Sequence, residues 1–239
     1  MNLIQKNMIQ LPAKLSVSFI CADLFNMKSD LDAMQALGID YIHFDMMDGH
    51  FVPRLGSGTY FIRQLTQKQS IPVEVHLMAD DPAAWIDDIA DTGASMVTFH
   101  IETGKDEYHI ISKIKHHGMK AGIALRPYTP ISSLQPLLKD VDLVLLMAFS
   151  PGILNQPMMD GFNTRITECR RMLDKNGKQN IDIAVDGGIK QENIATLRSA
   201  GVNMFILGSS GLFVPGVTVR DQLMNIKNSL EEVKDGTKS

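Results

Sequence analysis

His43 and Asp45 stand two apart in the apolar run Tyr41-Ile42-His43-Phe44-Asp45. An imidazole and a carboxylate can both ligate a divalent cation, and either can carry a proton. If the run is a strand, side chains alternate with period 2 and both groups project from one face. Met47-Asp48-Gly49 then ends the run in a turn, which leaves the pair at the strand's C-terminal tip. Two more residues of the same kind close other apolar runs: His76 in Val73-Glu74-Val75-His76 and Asp186 in Ile183-Ala184-Val185-Asp186. Two imidazoles and two carboxylates form a competent set for one divalent ion, Zn²⁺ first and Mn²⁺, Fe²⁺ or Co²⁺ besides, with a position left for substrate oxygens. Taken singly, a strand-end His is an ordinary hydrogen-bonded structural residue and an Asp before Gly an ordinary turn former. Their joint occurrence at predicted strand tips is what points to a site. His100 ends another run, but sequence assigns it no partner. His109, His116 and His117 fall among lysines on a predicted helix and read as a solvated face.

A second chemistry is anion binding. Asp186-Gly187-Gly188-Ile189 leads towards a helix, and Leu207-Gly208-Ser209-Ser210-Gly211 follows an apolar run near the C-terminus. Glycine lets backbone N–H groups approach a ligand closely, so two such loops at neighbouring strand tips make a phosphate cradle.

The elements that must position these groups alternate regularly. Apolar runs at 15–20, 41–45, 73–76, 96–100, 120–125, 143–147, 181–185 and 204–207 predict strands, separated by longer stretches of helical period. Gly38, Gly93, Gly118 and Gly201 each follow a helical stretch and precede a strand, as left-handed helix caps do. Asp23, and Asp81 before Pro82, supply helix starts, the second for a helix over 83–91. Eight evenly spaced β/α units favour a single-domain α/β protein closed as a (β/α)₈ TIM barrel over an open doubly wound sheet. The barrel is expected over 15–230, with an N-terminal extension at 1–14 and a polar C-terminal tail at 231–239. The chain has 239 residues, 23 basic and 27 acidic, and a net charge of −4, which gives no reason to invoke nucleic acid or an anionic membrane. Cys21 and Cys169 are too few for a disulfide framework, and no apolar run approaches a membrane span of about 18 residues, so a cytoplasmic protein is expected.

These pieces together resemble the ribulose-phosphate 3-epimerase family. The resemblance is carried, in family order, by Ser18-Phe19-Ile20-Cys21-Ala22-Asp23, His43-Phe44-Asp45-Met46-Met47-Asp48-Gly49-His50-Phe51-Val52-Pro53, His76-Leu77-Met78, Thr98-Phe99-His100-Ile101-Glu102, Ser150-Pro151-Gly152, Val185-Asp186-Gly187-Gly188 and Gly208-Ser209. It implies an isomerase that inverts C3 of a phosphorylated ketose through an enediolate, with D-ribulose 5-phosphate as default substrate. It implies a divalent metal on His43, Asp45, His76 and Asp186, with Asp45 and Asp186 also the acid/base pair. Ser18 and His76 would lie at the substrate, Met47, Met78 and Met147 would line its site, and backbone from Gly152, Gly187, Gly188, Gly208 and Ser209 would hold the phosphate. By family analogy a homo-oligomer is expected.

The sequence departs from that pattern in places. Arg54 and Arg126 stand where family members usually carry Asn, and both are expected on the catalytic face, where they could recruit an anion or pair with local acids. The loop Pro151-Gly152-Ile153-Leu154-Asn155-Gln156 lacks the family's second glycine, which restricts its backbone. Cys21 also occurs in some hexulose-phosphate relatives. Intact proton chemistry with shifted substrate recognition is therefore expected. D-allulose 6-phosphate is the alternative substrate, and a sugar-phosphate-binding homologue without turnover the alternative from another class. A Schiff-base lyase lacks an inward strand-end lysine; the nearest, Lys105, falls in a loop.

Overall fold

The computed structural model describes residues 11–153 and 156–236. Eight parallel strands close into a barrel in chain order: β1 (Lys14–Ser18), β2 (Tyr41–Met47), β3 (Val73–Met78), β4 (Met96–His100), β5 (Lys120–Leu125), β6 (Leu143–Met147), β7 (Asp182–Asp186) and β8 (Met204–Leu207). The expected (β/α)₈ barrel is the observed fold. β1 stops at Ser18 rather than at 20, because Phe19–Cys21 winds into a 3-10 turn. β2 and β3 run two residues further than expected, since the apolar pairs Met46↔Leu77 and Met47↔Met78 extend their ladder. β7 ends on Asp186 itself.

The helices are α1 (Met27–Ala36), α2 (Thr59–Lys68), α3 (Ile86–Ala90), α4 (Glu107–His116), α5 (Phe162–Lys175), α6 (Gln191–Ala200) and α7 (Val219–Gly236). Gly38, Gly93, Gly118 and Gly201 all sit at positive φ after helices, as expected. Asp23 does not cap α1: its carboxylate accepts the Phe25 N–H (3.0 Å) and the Asn26 amide (2.7 Å) in a turn before it. The stretch expected as one helix over 83–91 splits into a 3-10 segment, Pro82–Trp85, and the short α3, and Asp81 makes no side-chain cap. Between β5 and β6 only a 3-10 segment forms, Ile131–Leu137, because Pro136 has no N–H to continue an α-helix. The domain boundary expected at 230 falls inside α7, whose apolar stripe Leu223, Ile226 and Leu230 seats the helix on the barrel before its polar end runs on to Gly236. Of the expected extensions, residues 1–10 and 237–239 lie outside the described residues, as do Leu154 and Asn155.

Alternation along the strands sorts the barrel interior into layers. At the N-terminal end Lys14 pairs with Asp182, and the Lys120 ammonium donates to the Tyr41 hydroxyl at 3.1 Å. The middle is apolar, from Met96, Ala124, Leu145, Ala184, Met204 and Ile206. The C-terminal end is polar, and Ser18, His43, Glu74, His76, Thr98 and His100 are all buried there. Outward strand residues such as Val17, Ile42, Val75, Val97, Ile123 and Val144 pack against the helices in the main core. Each such aliphatic side chain contributes roughly 1.5–3 kcal/mol on burial, which is what lets the interior carry so many polar groups. Among the described residues no helix is long and apolar enough to cross a membrane.

Candidate active site

Strand register brings the candidate residues together. Asp45 lies opposite His76 between β2 and β3, and Met147 opposite Asp186 between β6 and β7. His43, Asp45, His76 and Asp186 each offer one ligand atom, and these atoms lie within 4.8 Å of one another. His43 Nε2 is 3.2 Å and His76 Nδ1 3.1 Å from the same Asp45 oxygen, Oδ1. Both imidazoles are fully buried, while the two carboxylates are partly open to a cavity.

Behind this cluster every ring nitrogen turned away from it has a partner. Glu74 accepts from His43 Nδ1. His76 Nε2 meets His100 Nε2 at 2.9 Å, and His100 Nδ1 meets Glu102 Oε2 at 3.0 Å. Glu102 Oε1 in turn accepts the Arg126 backbone N–H (2.7 Å) and the Thr129 hydroxyl. A metal-binding imidazole characteristically has its far N–H held in this way. With far nitrogens tied and near nitrogens aimed at a carboxylate oxygen, the four residues fit a divalent cation.

The electrostatics are correspondingly polarised. Burial alone would raise Asp45, but the His43 charge and hydrogen bonds from His43 and His76 outweigh it and hold the carboxyl well below the usual range. Asp186 moves the other way, raised first by burial and further by Asp45. Burial opposes charge on His43, yet Glu74 and Asp45 on its two sides raise it well above the usual value. Burial lowers His100 to about 4 despite the Glu102 hydrogen bond, so this ring is neutral at physiological pH.

The cavity holds about 330 Å³ at the C-terminal mouth of the barrel. Asp45, His76 and Asp186 line it, with Ser18 beside them donating to Asp45 Oδ2 at 3.1 Å. His43 lies beneath that surface. Met47, Met78 and Met147 form an apolar lining, and Cys21 lies at the edge with its thiol 3.9 Å from the Ser18 hydroxyl. Gly187, Gly188, Gly208 and Ser209 border the cavity from the loops after β7 and β8, and Gly152 borders it from the loop after β6. At Gly152 the backbone has φ +73°, and an added Cβ would stand 2.6 Å from Val52 Cβ. Only glycine fits there, which locks the loop after β6 against the loop after β2.

The ribulose-phosphate 3 epimerase family model matches residues 14–213. The chain belongs to that family. It is 34% identical over 197 residues to a ribulose-phosphate 3-epimerase of Bacillus subtilis, covering 82% of this chain and 91% of that one. It is 35% identical over 223 residues to the cytoplasmic isoform of ribulose-phosphate 3-epimerase from Oryza sativa subsp. japonica, covering 91% and 96%. Among solved structures a 3-hexulose-6-phosphate synthase superposes with a TM-score of 0.64 at 15% identity, over 90% of this chain and 99% of that one, which shows a shared fold. Family membership makes the protein a carbohydrate isomerase, an epimerase of sugar phosphates.

The two arginine departures separate. Arg54 lines the cavity as expected, and its side chain is exposed at the mouth. Arg126 also stands at the C-terminal end of the barrel as expected, just after β5, but off the cavity. Its guanidinium lies 4.3 Å from the Phe51 ring centroid and donates to the Phe51 carbonyl at 3.2 Å, so it braces the loop after β2 rather than facing a ligand. Sequence reasoning missed the Glu74 contact and left His100 without a partner. Period 2 does place Glu74 on the same inward face as His76, so a buried acid one layer below a ligand was a usable signal. The His76–His100 contact depends on register between strands and had no local signal.

Proposed function

We propose that the chain is a divalent-cation-dependent 3-epimerase of a phosphorylated 2-ketose, with D-ribulose 5-phosphate and D-xylulose 5-phosphate as its default pair. The observation that carries this reading is the meeting of Asp45 and Asp186 with His43 and His76 in one compact donor set at the cavity floor. When bound there, a cation, Zn²⁺ by first expectation, would stabilise negative charge developing on the C2 and C3 oxygens. Inversion then needs one group to remove the C3 proton and another to return one to the opposite face. β2 and β7 stand three strands apart around the ring, so their carboxylates approach the substrate from different directions. Two carboxyl groups of the same kind suit a reversible inversion, Asp45 removing the proton and Asp186 supplying one in one direction and the reverse in the other. Ser18 would hold Asp45 in place, and His76 would lie against the substrate oxygens. Met47, Met78 and Met147 would keep water from the planar enediolate with side chains that cannot protonate it. Backbone amides of Gly152, Gly187, Gly188, Gly208 and Ser209 would take the phosphate.

Arg54 favours a second reading, in which proton chemistry is retained and the preferred ketose phosphate differs, D-allulose 6-phosphate being the named alternative. An exposed guanidinium at the mouth adds a bidentate anion donor to the cavity. The test is a panel of pentulose and hexulose phosphates, assayed with Zn²⁺, Mn²⁺ and Fe²⁺ for turnover and for deuterium uptake at C3 from solvent. Exchange with turnover is the expected result, and preference within the panel chooses between the readings. Tight binding of every member without exchange would overturn epimerisation. By family analogy we also place the protein in the cytoplasm as a homo-oligomer.

A further inference from the structure

We propose that Arg126 is a positioning residue for Arg54: from outside the cavity it fixes the loop after β2, and that loop holds Arg54 at the mouth, where its guanidinium meets the substrate. The two arginines that stand where the family usually has Asn then form one device for substrate choice. The inference rests on the reading above in which Arg54 selects the sugar phosphate.

Arg126 is itself held on both sides. Its backbone N–H donates to Glu102 Oε1 at 2.7 Å and its carbonyl accepts from Arg165 at 3.1 Å, which ties the tip of β5 to the turn after β4 and to α5. Its guanidinium turns away from the cavity onto the loop after β2, 4.3 Å from the Phe51 ring centroid and donating to the Phe51 carbonyl at 3.2 Å. Arg126 Nε is buried with no hydrogen-bond partner among the described residues, so the stacked ring and that carbonyl are the contacts the side chain serves. A planar cation over an aromatic face, joined by a hydrogen bond to the same residue, fixes Phe51 in both position and orientation.

The loop carries that anchor to Arg54 with little freedom. At its start Asp48 accepts the backbone N–H groups of His50 at 2.8 Å and Phe51 at 2.9 Å. At its end Asp48 and Leu55 form an antiparallel bridge, and the Gly56 N–H donates to the Met47 carbonyl at 3.1 Å. Between these ties lies Phe51-Val52-Pro53-Arg54. Val52 is buried, with its side chain closed on Gly152. The Pro53 ring fixes φ, and the Arg54 N–H returns to the Val52 carbonyl at 2.8 Å, closing a three-residue turn centred on the proline. A rigid step therefore leads from the carbonyl that Arg126 grips to the backbone of Arg54. Arg54 lines the cavity and Arg126 does not, so any effect of Arg126 on substrate must pass through this loop.

Substrate preference in a double-mutant cycle separates positioning from plain bracing. Preference is the ratio of kcat/KM for D-ribulose 5-phosphate to that for D-allulose 6-phosphate, measured in wild type, Arg126→Met, Arg54→Asn and the double variant. Methionine keeps an apolar stem under the loop and removes the stacked cation and its hydrogen bond. Arg126→Met should shift preference towards D-ribulose 5-phosphate by about threefold to tenfold, the direction of Arg54→Asn, through KM rather than kcat. Placed on Arg54→Asn, it should shift preference by less than about twofold, because the group it positions is gone. A merely structural role predicts equal losses for both sugars in either background, whether passed through the Val52–Gly152 contact or through general loosening. The proposal is overturned by an unchanged preference in Arg126→Met, or by a shift that persists in full without Arg54. Arg126→Lys keeps the charge but not the planar stack, so it should shift preference the same way by a smaller factor, and it decides the cycle if Arg126→Met does not fold. An unchanged preference in Arg54→Asn would remove the reading of Arg54 on which this rests, whereas a shift there with none in Arg126→Met or Arg126→Lys would remove the positioning role alone. If neither sugar were turned over, epimerisation would fall, and dissociation constants of the two sugar phosphates from calorimetry would replace kcat/KM in the same cycle.

Discussion

At the scale of single residues, the proposed function divides the site into groups that would do chemistry and groups that would choose what the chemistry acts on. On that reading Asp186 belongs to the first kind, being partly open to the cavity, raised in pKa by desolvation and within reach of the other three donors. Asp186→Asn keeps its volume but neither accepts nor releases a proton, so turnover should fall by at least about 10³-fold, within the range that removal of a general acid or base costs. An unchanged melting curve would show that the fold survived, and near wild-type turnover would remove Asp186 from its role. Arg54 belongs to the second kind, since it lines the mouth without touching the donor set. Arg54→Asn restores the residue usual in the family at this position. It should raise kcat/KM for D-ribulose 5-phosphate relative to D-allulose 6-phosphate by about tenfold, the equivalent of one lost charge-assisted hydrogen bond. An unchanged ratio across the panel would mean that Arg54 does not read the substrate.

At the scale of elements, the loops after β2 and β6 act as one unit because Val52 closes on Gly152. Gly152→Ala places a Cβ on Val52 and asks alanine to hold a left-handed backbone, so the loop must shift. The expected outcome is a loss of about 1–3 kcal/mol in stability and a raised KM for phosphorylated substrate, measured by denaturant unfolding and steady-state kinetics. A wild-type KM would separate this loop from phosphate binding. Such contacts explain which elements were legible in sequence. Strands over 96–100, 120–125, 143–147 and 204–207 match the structure to the residue, because apolar runs between turn signals carry their own boundaries. The late start of α1, the split before α3 and the helix missing after β5 were not legible from periodicity, since Asp23, Asp81 and Pro136 act through local turn geometry. The four-donor set was readable because each member is a His or Asp set in or at the end of an otherwise apolar run, on the inward face that period 2 assigns it. The contacts that run from His76 through His100 to Glu102 were not, because His76 and His100 meet only through the register of β3 on β4.

At the scale of the whole molecule, the barrel closes around a polar end in which carboxylates and imidazoles crowd together. Glu74, Asp45 and Asp186 bring three acids into a space shared with the two buried imidazoles of His43 and His76, and Glu74 Oε1 is buried with no hydrogen-bond partner among the described residues. The strands that supply these groups, β2, β3 and β7, belong to one closed barrel. A cation that binds only the folded chain stabilises it by mass action. At free metal about 100-fold above its dissociation constant the gain is about 2.7 kcal/mol. For a chain of this size each kcal/mol moves the melting temperature by about 2–4 °C. Chelation should therefore lower the melting temperature by about 5–10 °C, and stoichiometric Zn²⁺ should restore it. The shift should shrink in Asp186→Asn, which loses one ligand, and persist in Arg54→Asn, which loses none. Identical melting curves with and without chelator, in protein shown to have been loaded with metal, would separate cation binding from barrel stability.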